Sequence, residues 1–174
     1  VAAERTARRE AEEQAIHDAL TGLPNRAQVI SHLERLLRQG DATACSVLFI
    51  DLDRFKIIND AYGHAVGDHL LIALATRLRQ LVEPDHLVGR LGGDEFVVVV
   101  AEADPVAVEQ LSQCLIARLM EPLVVQGKRL LSGASVGIAT FAPGETAERL
   151  IENADMAMYR AKQRGRGRFC VYDV

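Results

Sequence analysis

Residues 90–96 read Arg-Leu-Gly-Gly-Asp-Glu-Phe, and they lie between two apolar runs, 87–88 and 96–100. Two adjacent glycines between strand-like runs predict a tight hairpin, because glycine adopts positive φ without a steric cost. The hairpin would carry two neighbouring carboxylates, Asp94 and Glu95. Taken alone, two acids at a hairpin tip are most simply solvated turn charges. A chemical role for them therefore requires other residues that converge on the same place.

Two further acidic segments supply such residues. The apolar run that contains Phe49 and Ile50 ends in Asp51-Leu52-Asp53, and Asp68 follows a glycine. Magnesium prefers oxygen ligands and is usually held by a few carboxylates together with water and substrate phosphates. Three separated acidic positions near strand ends therefore predict a metal-dependent nucleotide site.

The flanking patterns predict the remaining elements. Helical spacing runs to residue 39, a buried strand covers 45–51, and a short helix begins at about Arg54. The next predicted elements are a helix over 68–81 and a helix over 105–120. The second of these helices is expected to bury Val106, Val108, Leu111, Leu115, Ile116 and Leu119. A hairpin of 123–125 with 128–131, a strand over 135–141, a helix over 146–164 and a strand over 168–172 follow. Strands that alternate with helices and are partly joined by hairpins indicate a mixed α/β fold.

Six ordered blocks of the sequence are similar to a known family. They read HDALTGLPNR at 17–26, DLDRFKIIND at 51–60, GHAVGD at 63–68, RLGGDEF at 90–96, SVGIA at 135–139 and ADMAMYRAK at 154–162. In this order and at this spacing they resemble GGDEF domains, the diguanylate cyclases that make the bacterial second messenger cyclic di-GMP. The resemblance implies an α/β (α+β) fold in which helices flank a five-stranded, mostly antiparallel, palm-like sheet, similar to nucleotide cyclase catalytic domains.

The N-terminal stretch has a different pattern. Alanine recurs at every fourth position from 3 to 19, with Glu and Arg between. This indicates a helix with a narrow small-residue stripe, either solvated or paired with a copy of itself. We assign 1–16 to a leader or linker helix and 17–174 to the GGDEF domain. In the family such a helix links an upstream sensor, so we interpret the chain as a module of a longer protein, in which a phosphodiesterase domain could follow.

Composition limits the partners and the compartment. The chain has 174 residues, of which 49% are hydrophobic and 25% charged, with a net charge of −4. It lacks the overall basic field of a nucleic-acid-binding protein, and its apolar runs are far shorter than the ~20 residues of a membrane span. Its three cysteines are scattered, without a Cys-x-x-Cys pair. We expect no nucleic acid, no direct membrane contact, reduced thiols and a cytoplasmic domain, although the full-length protein could be membrane-tethered.

The resemblance implies a catalytic and metal-binding set. Asp51 and the Leu52 carbonyl are expected to ligate Mg²⁺ or Mn²⁺, with two ions per GTP. Asp94 bridges from the hairpin and is also the candidate acceptor of the ribose hydroxyl proton, while Glu95 is a second metal or phosphate-shell group. Asp94 and Glu95 are thus the candidate catalytic residues. For Asp53 we expect instead a cap on the helix that begins at Arg54.

A second implied set binds the triphosphate. The backbone amides of Arg54 and Phe55 would face phosphate oxygens at a helix start, and Lys56 could reach the phosphate tail. Lys162 and Arg166 are four residues apart on the last helix and its exit, so we place them on one helical face. In the family this pair grips phosphates. The alternative is a solvated basic turn favoured by the helix dipole.

Guanine recognition is assigned to a carboxylate and an amide. Asn59 and Asp68 occupy these positions by resemblance, and a site built for such hydrogen bonds rejects adenine because its polar groups would be left unpaired. His64 is a further candidate for holding the nucleotide, although a lone loop histidine is more often structural. Glu83 and His86 stand where many family members carry the Arg and Asp of an inhibitory product site, so we predict that this chain lacks that site.

The product imposes a two-fold arrangement. Cyclic di-GMP has two identical 3′–5′ links, whereas the residues above form one GTP half-site, so we expect activity only in a homodimer. The main alternative is a catalytically silent GTP-binding module that controls a neighbouring domain, for example a phosphodiesterase. A receiver-like acidic pocket and a polymerase palm explain fewer of the residues.

Overall fold

The computed structural model describes residues 15–38, 45–101 and 104–173. Its strands are β1 Ser46–Asp53, β2 Leu87–Gly92, β3 Glu95–Val100, β4 Leu123–Val125, β5 Lys128–Leu130, β6 Gly133–Thr140 and β7 Phe169–Val171. A five-stranded sheet has the order β2-β3-β1-β6-β7, and β4 and β5 form a separate hairpin. Neighbouring strands of the larger sheet are antiparallel except β6 and β7, which are parallel. The mixed fold with a five-stranded, mostly antiparallel sheet is confirmed.

Helices cover both faces of the sheet. They are α1 Arg26–Arg38, α2 Phe55–Tyr62, α3 His64–Leu81, α4 Pro105–Leu119 and α5 Ala147–Gln163. Successive side chains of a strand point to opposite faces. On β1, Leu48 and Ile50 accordingly pack with α2, α3 and α4, whereas Val47 and Phe49 pack with α1 and α5. The central strand is therefore buried along its whole length, and the acids at its end lie beside α5.

Helix α5 lies directly on strand β6. A Cβ atom at Gly137 would overlap the Ala154 carbonyl and the Met158 backbone. Glycine at this position lets the two backbones approach closely. The close packing fixes the height of α5 over the sheet, and with it the position of the basic end of this helix.

Two tight turns contain glycines at the places where the sequence predicted hairpins. Gly92 and Gly93 have φ of 143° and 49°; a register shift lies between Arg90 and Gly92, after which Gly92 pairs with Glu95. Gln126 and Gly127 have φ of 49° and 75° and connect β4 to β5. In this second turn, positive φ at both central residues gives a twist that matches the flanking strands.

Several predicted boundaries need correction. Of the leader helix predicted over 1–16, residues 1–14 lie outside the described residues and residues 15–16 are helical; Thr21 then donates its backbone N–H and its hydroxyl to Asp18 and closes a turn. The helix predicted from residue 68 begins at His64. Val106 is exposed rather than buried, since it lies in the first turn of α4, directly after the capping residue and proline.

The start of α2 also differs from the prediction. The helix begins at Phe55, and its N-cap is Arg54, with φ of 63° and no side-chain capping hydrogen bond. Asp53 is the last residue of β1 and does not cap the helix, because its carboxylate makes contacts elsewhere, described below. Within 15–38, 45–101 and 104–173 no helix is long and apolar enough to cross a bilayer.

Candidate active site

Two distant acidic segments meet where β1 ends beside the β2–β3 hairpin. Asp51 lies opposite Glu95 in the register of β1 and β3. The Leu52 backbone N–H donates to the Asp94 carbonyl over 3.1 Å. The antiparallel pairing therefore brings the hairpin acids to the buried acid of the central strand, as the sequence predicted for a shared site.

Lys162 reaches this acidic cluster from α5. Its Nζ donates to Asp51 Oδ1 over 2.6 Å, and Asp51 is only 8% exposed. Burial raises the pKa of Asp51 to about 6; the hydrogen bond from Lys162 opposes the rise, and the charges of Asp94 and Glu95 add to it. The pKa of Glu95 is also raised, first by burial and then by the charges of Asp155 and Asp94. The charge of Arg26 opposes the rise at Glu95 and also at Asp155, whose pKa burial raises, so Lys162 and Arg26 together face four carboxylates, an arrangement that favours additional positive charge.

The donor set suits a hard divalent cation. Carboxylate oxygens and the Leu52 carbonyl are the ligand type that Mg²⁺ and Mn²⁺ prefer. Mutual repulsion of Asp51, Asp94 and Glu95 would be relieved by such an ion. In the part of the chain that the structure describes, no three His, Cys, Asp or Glu side chains are close enough to ligate one ion as they stand. Because Mg²⁺ needs only one or two carboxylates beside water and phosphate oxygens, the site does not require a third side chain, although Lys162 occupies one oxygen of Asp51.

Asn59 presents an unpaired acceptor on the other side of β1. Its Oδ1 is buried and has no hydrogen-bond partner among the described residues. The atom lies against Gly67, where any Cβ would overlap it. Asp68 follows Gly67, and both Asp68 and His64 are exposed in the first two turns of α3. An unpaired amide oxygen on α2 and an exposed carboxylate on α3 are the acceptor types that a ligand edge with N–H donors requires.

Two arginines border a pocket at the end of β1. Arg54 and Arg166 line a cavity of about 480 Å³ together with residues 53, 120, 131–133, 165 and 167. The sequence predicted that Arg166 lies on the same helical face as Lys162, and this prediction is wrong. The helix α5 ends at Gln163, and Arg166 follows in a left-handed conformation with φ of 62°. Lys162 contacts Asp51, whereas Arg166 lines the pocket together with Arg54.

Comparison with known proteins identifies the family. The family model described as "Diguanylate cyclase, GGDEF domain" matches residues 15–168. The chain belongs to the GGDEF domain family. It is 42% identical over 170 residues to the bifunctional diguanylate cyclase/cyclic di-GMP phosphodiesterase MucR of Pseudomonas aeruginosa, covering 96% of this chain and 25% of MucR.

Two further similarities concern TpbB of Pseudomonas aeruginosa. The chain is 42% identical to diguanylate cyclase TpbB over 159 residues, covering 88% of this chain and 37% of TpbB. The solved structure of the TpbB GGDEF domain superposes with a TM-score of 0.84 at 40% identity, covering 90% of this chain and 94% of that one. The chain thus spans about a quarter of MucR and a little over a third of TpbB.

In this GGDEF domain Arg90 holds the hairpin turn. Its Nε and one terminal nitrogen donate to the Gly93 carbonyl over 3.1 and 2.7 Å. Its other terminal nitrogen donates to Asp18 Oδ1 over 2.7 Å. The pKa of Asp18 is lowered: burial would raise it, but the hydrogen bonds from Thr21 and Arg90 outweigh burial. Sequence reasoning gave neither Arg90 nor Asp18 a role, although both lie in the blocks that carry the resemblance.

Asp53 is a further residue whose role sequence reasoning missed. Its carboxylate accepts hydrogen bonds from Ser135 Oγ over 2.8 Å and from the Gly167 backbone N–H over 3.0 Å. Both partners are far away in the sequence, so no local pattern announces them. Asp53 therefore connects the central strand to β6 and to the loop after α5.

The positions of the inhibitory motif hold other chemistry. Glu83 is exposed, and its carbonyl accepts from the His86 backbone N–H over 3.0 Å. The His86 ring lies near Asp85 and accepts from the Ala101 backbone N–H. Neither side chain offers a guanidinium for guanine or phosphate. The absence of an inhibitory product site stays a prediction.

Proposed function

We propose that this chain is an active diguanylate cyclase domain that condenses two GTP molecules into cyclic di-GMP and releases two pyrophosphates. In each half-reaction a ribose 3′-oxygen forms a bond to the α-phosphorus of the other GTP. The bond from that phosphorus to the bridging oxygen of pyrophosphate breaks, and the hydroxyl proton is lost. The observation that carries this proposal is the convergence of Asp51, Asp94 and Glu95 beside Lys162.

The acidic cluster has two tasks in this reaction. Asp51, the Leu52 carbonyl, Asp94 and Glu95 would hold two Mg²⁺ or Mn²⁺ ions per GTP. Such ions, when bound, activate the attacking hydroxyl and neutralise the leaving pyrophosphate. Asp94, at the turn, accepts the hydroxyl proton directly or through water. Lys162 neutralises Asp51 in the structure, and it releases that carboxylate to grip phosphate oxygens of bound GTP.

Base and phosphate recognition use the flanking elements. The unpaired Asn59 oxygen and the Asp68 carboxylate accept from the N–H donors on the guanine edge, which adenine does not offer. His64 lies beside Asp68 on α3 and adds a contact to the nucleotide. At the phosphate tail, the α2 start contributes the backbone amides of 54–55 and the Lys56 side chain, and Arg166 adds a guanidinium.

Turnover requires two copies of the domain. The residues described form one half-site, and the two halves must face each other so that each hydroxyl meets the other α-phosphorus. We expect a two-fold homodimer, with a monomer that binds GTP without converting it. A shift of about 1 Å between the halves would move the hydroxyl and the α-phosphorus out of the geometry from which they react. An upstream sensor acting through the leader segment would regulate the domain in this way.

The test is product formation from GTP and Mg²⁺, resolved by chromatography over a range of protein concentrations. We expect cyclic di-GMP and pyrophosphate in a 1:2 ratio, and a rate per chain that rises with concentration as dimers form. ATP should give no product. Loss of GTP without cyclic di-GMP, or no product at concentrations where the chain is shown to be dimeric, would contradict the proposal.

The second candidate is a silent GTP-binding module that controls a neighbouring domain. It is favoured by relatives with phosphodiesterase names, such as cyclic di-GMP phosphodiesterase PdeR of Escherichia coli, 37% identical over 156 residues. GTP binding by the dimer without any cyclic di-GMP would select this candidate.

A further inference from the structure

Asp53 occupies a crowded position where three segments meet. It is the last residue of β1 and is 5% exposed. One carboxylate oxygen accepts from Ser135 Oγ on β6, and the other accepts from the Gly167 backbone N–H. A Cβ at Gly133 would lie 3.2 Å from Asp53 Oδ2, so β6 leaves the carboxylate little room to turn. The Asp53 side chain is therefore held in one orientation, and its hydrogen bond holds the Gly167 backbone N–H in place.

The loop that Asp53 contacts has an unusual backbone. Residues Gly165, Arg166 and Gly167 all have positive φ, at 114°, 62° and 59°. For a residue other than glycine this conformation is uncommon and persists only where the surroundings hold it. The Arg166 N–H is held by the Ala161 carbonyl over 3.1 Å, and Asp53 holds the next N–H, that of Gly167. Asp53 thus stabilises the loop conformation that aims Arg166.

Asp53 also adjoins the second arginine of the pocket. Arg54 follows it directly in the chain and has φ of 63°. Arg54 and Arg166 line the same cavity of about 480 Å³. One acid is therefore linked by a peptide bond to one arginine and by a hydrogen bond to the neighbour of the other.

We infer that Asp53 is a positioning residue that sets Arg166 in place for the phosphate tail of the nucleotide. The inference rests on the proposed function, since it takes GTP as the ligand. Asp53 itself touches no phosphate, because both of its oxygens already accept hydrogen bonds from the protein. Its effect reaches the ligand through the 165–167 loop, and so it should act on the outer phosphates and not on guanine.

The test is Asp53→Asn, which keeps the size of the side chain but replaces one acceptor oxygen with an N–H₂ donor. Binding is measured with α,β-methylene GTP, which cannot release pyrophosphate, and with GMP, which lacks the outer phosphates. We expect Asp53→Asn to weaken binding of the GTP analogue about tenfold and to leave GMP binding within about twofold. Arg166→Ala should do the same. The double variant should bind no more weakly than Arg166→Ala alone, because both act through one guanidinium.

Two further variants serve as controls. Asp104→Asn makes the same change in a carboxylate that accepts a backbone N–H at the remote start of α4, and it should change neither affinity. If Asp53→Asn does not fold, Ser135→Ala removes one support of the carboxylate and should weaken the GTP analogue about threefold, again without affecting GMP. Amide exchange at Gly167 should accelerate in Asp53→Asn.

Three results would overturn the inference. The first is that Asp53→Asn binds the GTP analogue as tightly as the wild type while Arg166→Ala binds it more weakly. The second is that Asp53→Asn loses as much affinity for GMP as for the analogue. The third is that the losses of affinity add in the double variant. A wild-type chain that binds the analogue but makes no cyclic di-GMP would contradict only the proposed function. The positioning role would survive that result, because its readout is binding.

Discussion

Replacement of Arg90 by alanine should destabilise the domain far more than the loss of a surface ion pair of the same length. Arg90 donates three hydrogen bonds, two to the Gly93 carbonyl and one to Asp18. The side chains of Arg90 and Asp18 are only 10% and 17% exposed. Breaking a buried pair costs about 3 to 5 kcal/mol, and a surface pair contributes about 0 to 1 kcal/mol. For this largely buried pair we expect a loss of about 2 to 3 kcal/mol.

Arg118 provides the matched control. Its pair with Glu121 has the same 2.7 Å separation, but the two side chains are 52% and 45% exposed. Urea unfolding of Arg90→Ala, Asp18→Ala, the double variant and Arg118→Ala gives the free energies of unfolding. We expect a coupling energy of about 1 to 2 kcal/mol between Arg90 and Asp18 and a loss below about 0.5 kcal/mol for Arg118→Ala. If Arg90→Ala and Arg118→Ala cost the same, burial does not govern this pair and the reasoning is wrong.

The same pair predicts a pH dependence. The pKa of Asp18 is lowered in the folded domain, so its stabilisation is fully present above the unfolded value near 3.8 and is lost as pH falls through the folded value. Unfolding measured between about pH 5 and pH 3 should therefore show a steeper loss of stability in the wild type than in Asp18→Asn. Parallel curves would contradict the lowered pKa.

Three other predictions concern the site, the packing and the thiols. Asp94→Ala should lower turnover at least about a hundredfold while GTP affinity falls less than about tenfold. Steady-state rates and equilibrium binding measure the two effects, and equal losses of turnover and of GTP affinity would count against a catalytic role. Gly137→Ala should destabilise by about 1 to 3 kcal/mol, because the methyl overlaps the backbone of α5; thermal unfolding tests it, and an unchanged midpoint would refute the close packing. Burial raises the pKa of Cys45 to about 11, whereas Cys114 is exposed, so a thiol reagent at pH 8 should modify Cys114 first, and equal rates would contradict this.

The elements that the sequence predicted correctly have local signals. Gly92 and Gly93 predicted a hairpin because positive φ is a property of the residue itself. The fully apolar run before Asp51 predicted a buried central strand, and hydrophobic spacing located the helices to within a few residues. The convergence of Asp51 and Asp94 followed from the resemblance, since strand pairing between distant segments is not written in either segment alone.

The features that sequence reasoning missed depend on distant contacts. Asp53 was predicted to cap a helix because its nearest helix starts next to it, but its partners Ser135 and Gly167 are reachable only in the folded chain. The ion pair of Lys162 with Asp51 was missed for the same reason. Local rules assign each polar side chain to its sequence neighbours, and tertiary contacts override that assignment wherever a buried carboxylate finds a better donor.

The most direct test of the central claim is the position of Mn²⁺ in crystals grown with α,β-methylene GTP, located by anomalous scattering. We expect manganese within direct ligand distance, about 2 Å, of oxygens of both Asp51 and Asp94, with the Lys162 ammonium moved from Asp51 to a phosphate oxygen. Manganese bound elsewhere, with the Lys162–Asp51 contact still at 2.6 Å, would contradict a shared metal and nucleotide site at this hairpin.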